Sequence, residues 1–288
     1  MPKNLGRVFR SLRQAKGISL EEATGGRFSI SQLSRFEHGK SDLSVSKMLI
    51  ALKILQVTTD EFLSIAREFE ENEIHQFSSK VEKYLKQENT YMLRKLLMEK
   101  KKKMSTNLYR LEVQMLTLLV EGLRDRKKIL QYEQNFMDYF CTIEHWGYFE
   151  LMLFSNILDS ISQSSLRILT RQMIEQTVLH EKNPRKKRKI ARILLEIVRR
   201  TLEEKKFQEA SLLLVETKRL LSDETYLLEK NILLFMDGYY SLCIGKLEKG
   251  RKKMETVIKI FEQLESYEYA SLYSELYQEI LDKEFAYL

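Results

Sequence analysis

The sequence predicts an all-α fold in two parts, a basic five-helix head over residues 1–66 and a helical-repeat solenoid over residues 67–288. Three observations predict it. First, no alternating β-branched run is closed by a hairpin turn. Second, apolar residues recur at the helical period. Ile190, Ile193, Leu194, Ile197 and Val198 form one stripe; Met254, Val257, Ile258, Phe261 and Leu264 form another; Tyr269, Leu272, Tyr273, Leu276, Tyr277, Ile280 and Leu281 form a third. Third, glycine content and charge both change after the head. Five of the ten glycines precede residue 40, and residues 1–60 carry ten Lys/Arg against five acids, most of the chain's net +7. A compact basic module beside a near-neutral body suits a polyanion-binding head on a body with another task.

The head follows element by element. A first helix from Leu5 to Lys16 stops at Gly17, a residue favoured at helix C-termini. "SLEEA" opens a second, with Ser19 as N-cap and Glu22 three residues on to complete a capping box. It ends at Gly25-Gly26, which supply a sharp turn. Ser29 then caps a third helix that runs to His38 and ends at Gly39. A fourth begins near Ser44 and a fifth near Thr59.

Two short helices across a glycine turn, inside a basic five-helix unit, form a helix-turn-helix. The third-helix pattern of Phe28, Ser29, Leu33, Ser34, Glu37, Gly39 and Lys40 resembles the Xre/phage-repressor class over about 60 residues. Phe28, Leu33 and Phe36 are expected in the core, which turns Ile30, Ser31, Gln32 and Arg35 outward onto a surface that fits a major groove. Arg35 can pair bidentately with guanine, and Gln32 or Ser31 can hydrogen-bond base edges. Ile30 either meets a thymine methyl or is simply an exposed apolar residue. Ser19, Arg27, Ser34 and Lys40 lie near helix ends or turns and suit phosphate contacts, with Ser34 alternatively a packing hydroxyl. The resemblance further implies a buried Arg13–Glu37 pair tying the first helix to the third, and a dimer on an inverted-repeat operator in double-stranded DNA. The tyrosine-rich last helix is the expected dimer contact.

From residue 67 about eleven helices alternate with short breaks, in pairs recurring at roughly 35–42 residues, as in a tetratricopeptide-like solenoid. A non-repeating helical bundle is the alternative. The signature "FSxSQLSRFExGxSDLS" (x variable), met from Phe28 to Ser44, followed by this helical body, is similar to the Rgg/GadR/MutR regulators. That resemblance implies a dimeric, cytoplasmic, quorum-sensing transcription regulator whose repeats bind a short hydrophobic signalling peptide. Residue chemistry offers partners for such a peptide. Asn156 and Asn231 each interrupt an apolar stretch with both a donor and an acceptor, while Trp146, Tyr148, Phe154, Tyr239 and Tyr240 can line apolar pockets. Helix-packing bonds for the asparagines and ordinary core for the aromatics compete with that reading.

Composition excludes other classes. No run approaches a membrane span, and "MPKNLGRVFRSLRQ" lacks a signal-peptide core, so a cytoplasmic protein is expected. Cys141 and Cys243 read as small buried hydrophobes. The histidines are isolated, and phosphate-loop, dinucleotide and nucleophile-elbow motifs are missing, so neither catalysis nor a cofactor is expected. Basic runs at 100–103, 124–128, 184–189 and 250–253 read as solvated helix ends, with an electropositive rim as the alternative. A second functional reading is an adaptor whose repeats hold a partner protein while the head tethers it to DNA.

Overall fold

The computed structural model describes residues 5–67, 73–102, 106–121, 126–177 and 181–285. Among them every regular element is helical. The chain divides into two compact units, residues 1–88 and 89–288, each treated by itself below.

The first unit contains α1 (Leu5–Ala15), α2 (Leu20–Thr24), α3 (Ile30–Glu37), α4 (Val45–Ile54), α5 (Thr59–Arg67) and α6 (Glu73–Lys86). Its boundary lies 22 residues beyond the 66/67 division read from the sequence, so α6 groups with the head. Glycine and charge mark the five-helix core and carry no signal for a further amphipathic helix.

The expected caps form. Ser19 Oγ accepts from the Glu22 amide at 3.1 Å, and Glu22 Oε2 accepts from the Ser19 amide at 2.7 Å. Hydrogen bonding from the Ser19 amide, and after it from the Ser19 hydroxyl, holds the Glu22 carboxyl below the usual carboxylate range. Ser29 Oγ accepts from the Gln32 amide at 3.3 Å. Gly25 sits at φ +53°, a left-handed conformation that L side chains rarely adopt, and a Cβ there would come within 2.7 Å of Ile54 Cδ1.

Val8, Phe9, Ala23, Leu33, Phe36, Leu52, Leu55 and Phe62 form the head's core. Phe9 meets Phe36 and Phe62 edge to face, with centroids 6.3 and 6.5 Å away. Phe28 is half-buried at the margin of this cluster. Gly6 of α1 lies against α3, where a Cβ would overlap the Phe36 carbonyl oxygen and sit 2.8 Å from its carbon.

The second unit contains α7 (Thr90–Lys102), α8 (Asn107–Glu121), α9 (Arg126–Thr142), α10 (Tyr148–Ile157), a 3₁₀ turn (Leu158–Ser160), α11 (Gln163–Thr177), α12 (Pro184–Glu203), α13 (Phe207–Leu220), α14 (Leu227–Cys243), α15 (Leu247–Gln263) and α16 (Tyr267–Phe285). Neighbours in sequence pack as pairs: α7 on α8, α12 on α13, and α14 on α15, with α12 also against α14 and α16 against α15. The turns between helices recur. After α12, Lys205 (φ 60°) lets Lys206 N–H reach back to Thr201 O; after α14, Gly245 (φ 80°) does the same for Lys246 and Ser241. Glu265 (φ 53°) repeats the device between Ser266 and Phe261. These are Schellman closures, and the first two stand one repeat apart. Where α14 crosses α15, a Cβ on Gly238 would approach Gly250 O to 3.0 Å, and one on Gly250 would approach Gly238 O to 2.8 Å. Glycine at both positions lets α14 and α15 touch backbone to backbone.

The stripe on α12 is buried as expected, Ile190 to Val198 being at most 3 % exposed. Asn183 caps that helix by accepting from the Arg185 amide at 3.0 Å. The other two stripes are narrower than their spacing suggests. Met254, Val257, Phe261, Tyr273, Tyr277 and Ile280 are buried, but Leu264 and Leu272 are exposed. Two tyrosines of α16 serve the body's own core: Tyr273 stacks on Phe261 at 5.5 Å, and Tyr277 donates to Glu255 at 3.0 Å. Tyr267 and Leu272 of the same helix are exposed. Cys141 is exposed and Cys243 half-buried, so the expectation of two core thiols is corrected: each lies at the margin of its helix's apolar stripe.

The basic runs are more engaged than solvated ends would be. Lys100 closes α7 but also bonds Glu112 of α8 at 2.6 Å, a carboxylate 5 % exposed that burial obliges to find a cation. Lys186 pairs with Glu181 at 2.6 Å, and Lys253 with Asp237. Arg192 of α12 holds the buried Glu229 of α14 at 3.0 Å. Lys103, Arg124, Asp125 and His180 lie outside the described residues. No helix among the described residues is long and apolar enough to cross a membrane.

Candidate functional site

In the head, the turn geometry and a buried ion pair set which face of α3 is outside. Arg13 of α1 donates from Nε to Glu37 Oε1 at 2.7 Å and from Nη2 to Oε2 at 2.8 Å, and its Nη1 donates to Ile18 O at 2.7 Å. Glu37 is 2 % exposed and Arg13 9 %. A two-pronged bond of this kind fixes orientation as well as distance. The bond to Glu37 raises the Arg13 pKa above its ordinary value. Leu33, Phe36 and Glu37 face inward.

The opposite face of α3 is open. Ile30 (44 % exposed), Ser31, Gln32 and Arg35 all reach solvent, as do Ser19, Arg27 and Lys40. Ser34 is half-buried, and its carbonyl oxygen lies 2.7 Å from His38 Nδ1. Arg35 has no ion-pair partner among the described residues, which leaves its guanidinium fork available. Lys40 stands beyond Gly39 (φ +67°), its amide bonded to Arg35 O at 2.8 Å, so it leaves α3 at its C-terminal edge. One neighbour of this face was not apparent in the sequence: Lys47 of α4 donates to Gln32 Oε1 at 2.9 Å. The two are 15 residues apart, with only a shared polarity to connect them beforehand.

The body's candidates divide. Trp146 and Phe154 are 0 % exposed and Tyr239 1 %. Trp146 stacks on Phe140 at 4.8 Å and meets Phe154 edge to face at 5.3 Å. A side chain without exposed area has no face for a ligand in this conformation, so the expectation that these three line a pocket is corrected to core. The Trp146 indole N–H is nevertheless buried without a hydrogen-bond partner among the described residues. Asn156 donates to Met152 O on its own helix at 2.8 Å, and Asn231 to Val257 O of α15 at 3.5 Å. Both are half-buried, as are Tyr148 and Tyr240. Tyr240 lies in a cleft of about 550 Å³ between α13 and α14, with Leu214, Val215, Leu221, Leu233 and Leu234 among its walls and Lys218 and Lys230 beside them. Apolar walls with a few polar groups are what a small hydrophobic ligand requires.

A helix-turn-helix head whose recognition face is outward, joined to a body of paired helices, defines a DNA-binding transcription regulator. Residues 9–62 match the helix-turn-helix family model, and residues 93–275 match the C-terminal domain of the HTH-type transcriptional regulator Rgg. The chain belongs to the Rgg family of transcriptional regulators.

Among solved structures, it is similar to the SHP pheromone receptor Rgg2 of Streptococcus dysgalactiae. Identity is 27 %, with 96 % of this chain and 99 % of that one covered at a TM-score of 0.78. A protein from Listeria monocytogenes EGD-e shares the fold at 20 % identity, with 97 % and 98 % covered and a TM-score of 0.87. A bacterial peptide pheromone/receptor complex shares it at 13 % identity, with 96 % and 98 % covered and a TM-score of 0.77.

Proposed function

We propose that this regulator binds an inverted-repeat operator as a cytoplasmic dimer and that a short hydrophobic signalling peptide controls it from the body. The observation that carries the reading is the likeness to a pheromone receptor across both units, at 27 % identity over 96 % of the chain. On the DNA, Arg35, Gln32, Ser31 and Ile30 meet base edges, while Ser19, Arg27, Ser34 and Lys40 position the head on phosphates. In the body, the α13–α14 cleft with Tyr240 supplies the apolar contact surface, and Tyr148, Asn156 and Asn231 are the half-buried polar candidates. Trp146, Phe154 and Tyr239 act from behind as core supports.

The test uses the SHP pheromone of the streptococcal receptor as a labelled probe, titrated into the full-length protein. Binding is expected, and Leu234→Asp, which places a charge in the apolar cleft, is expected to weaken it at least about tenfold, or ~1.4 kcal/mol. An unchanged affinity in that variant moves the peptide away from the cleft. If no peptide binds and a stable protein partner co-purifies instead, the adaptor reading takes its place.

A further inference from the structure

We infer that Lys47 is a positioning residue for sequence readout, which turns the amide NH₂ of Gln32 outward and biases it toward guanine. The inference rests on the proposed entry of α3 into a major groove.

The chemistry at this contact allows one orientation. A lysine ammonium carries donors and no acceptor, so the Gln32 atom that meets Lys47 Nζ at 2.9 Å has to be the carbonyl oxygen Oε1. The amide NH₂ is the other end of the same planar group, and its two hydrogens are what Gln32 then offers from the exposed face of α3. A glutamine with both ends available reads adenine by accepting from N6 and donating to N7. With one lone pair of its oxygen held and that end drawn toward α4, Gln32 is disfavoured as the acceptor half of that pair. It matches instead an edge made of acceptors alone, the N7 and O6 of guanine. Arg35, three residues on and on the same side of the helix, also offers only donors. The reading face is therefore biased toward guanine at two positions.

The placement of Lys47 supports a role beyond solvation. It stands in the first turn of α4, where a cation opposes the helix dipole and where no acidic residue compensates it. Among the described residues it forms no ion pair. The nearby hydroxyls of Ser44 and Ser46 are engaged with each other at 3.2 Å.

The experiment is a selection from a randomised duplex library with the full-length protein, read as base preference at each position. Wild type is expected to prefer guanine over adenine about tenfold at one position that Gln32→Ala flattens. In Lys47→Met, which keeps the aliphatic stem and removes the donor, the preference at that same position is expected to move toward adenine. Adding Lys47→Met to Gln32→Ala is expected to change that position no further. A Lys47→Met preference profile that superimposes on wild type, whatever its overall affinity, overturns the inference and leaves Lys47 a phosphate contact. A wild-type selection that enriches no sequence counts instead against the DNA-reading role itself, and so separates the two failures.

Discussion

Glu37→Ala is expected to destabilise the head by about 3–5 kcal/mol, the cost of breaking one side of a buried pair. The loss is large because of what stays behind. Arg13 retains Ile18 O but loses both carboxylate bonds, at a site where its side chain is only 10 % exposed. Its charge cannot be relieved by deprotonation, since an arginine stays protonated throughout the accessible pH range. The α1–α3 junction must therefore open to let water reach the guanidinium. Glu37→Gln, which keeps the shape and one acceptor, is expected to lose less. Hydrogen exchange on the full-length protein, followed at α1 and α3 amides, reads the effect locally. A Glu37→Ala protein whose protection at those amides falls by less than about 1 kcal/mol contradicts the claim that this pair sets the recognition helix.

Gly6→Ala is expected to act at the same junction by a different route. The added methyl would overlap the Phe36 carbonyl oxygen, with the Phe36 carbon at 2.8 Å and Glu37 Cα at 3.1 Å. All three are backbone atoms, so no rotamer change makes room, and α1 has to move off α3. Overpacking costs about 1–3 kcal/mol, or more where the neighbour cannot give. The helix preference of alanine over glycine returns up to about 1 kcal/mol. A net loss of roughly 2 kcal/mol is expected, with reduced operator affinity because separation of the helices disturbs Phe36 and Glu37 together. Urea unfolding of the full chain, set beside operator binding, checks both. Gly6→Ala with wild-type stability would mean that the α1–α3 approach is looser than the structure has it.

The parts legible in the sequence were those whose signals are local. Caps, glycine turns and helical periodicity act over one to four residues, which is why Ser19, Ser29, Gly25 and the α12 stripe fell where expected. The outward face of α3 was legible because its core residues are spaced by the same period.

What stayed hidden depends on distant partners. Trp146 and Phe154 are as hydrophobic in a core as in a pocket, and only their packing on Phe140, stacked for the first and edge to face for the second, decides between the two. Lys100 resembled a solvated helix end until folding brought Glu112 beneath it. Leu264 and Leu272 kept the helical period yet lie on faces that no neighbouring helix covers among the described residues. Periodicity identifies a stripe; the width of that stripe is set by how many helices pack against it.

The central claim, that the exposed face of α3 reads bases while the residues at its edge hold phosphate, is tested most directly by one paired measurement. Full-length Arg35→Ala and Lys40→Ala are titrated against a selected operator duplex and a random duplex over a range of salt. Arg35→Ala is expected to lose ~1–3 kcal/mol of discrimination between the two duplexes. Lys40→Ala is expected to weaken both alike and to lower the salt slope by about one. Equal losses of discrimination from the two variants would contradict the account and put the reading edge elsewhere on the head.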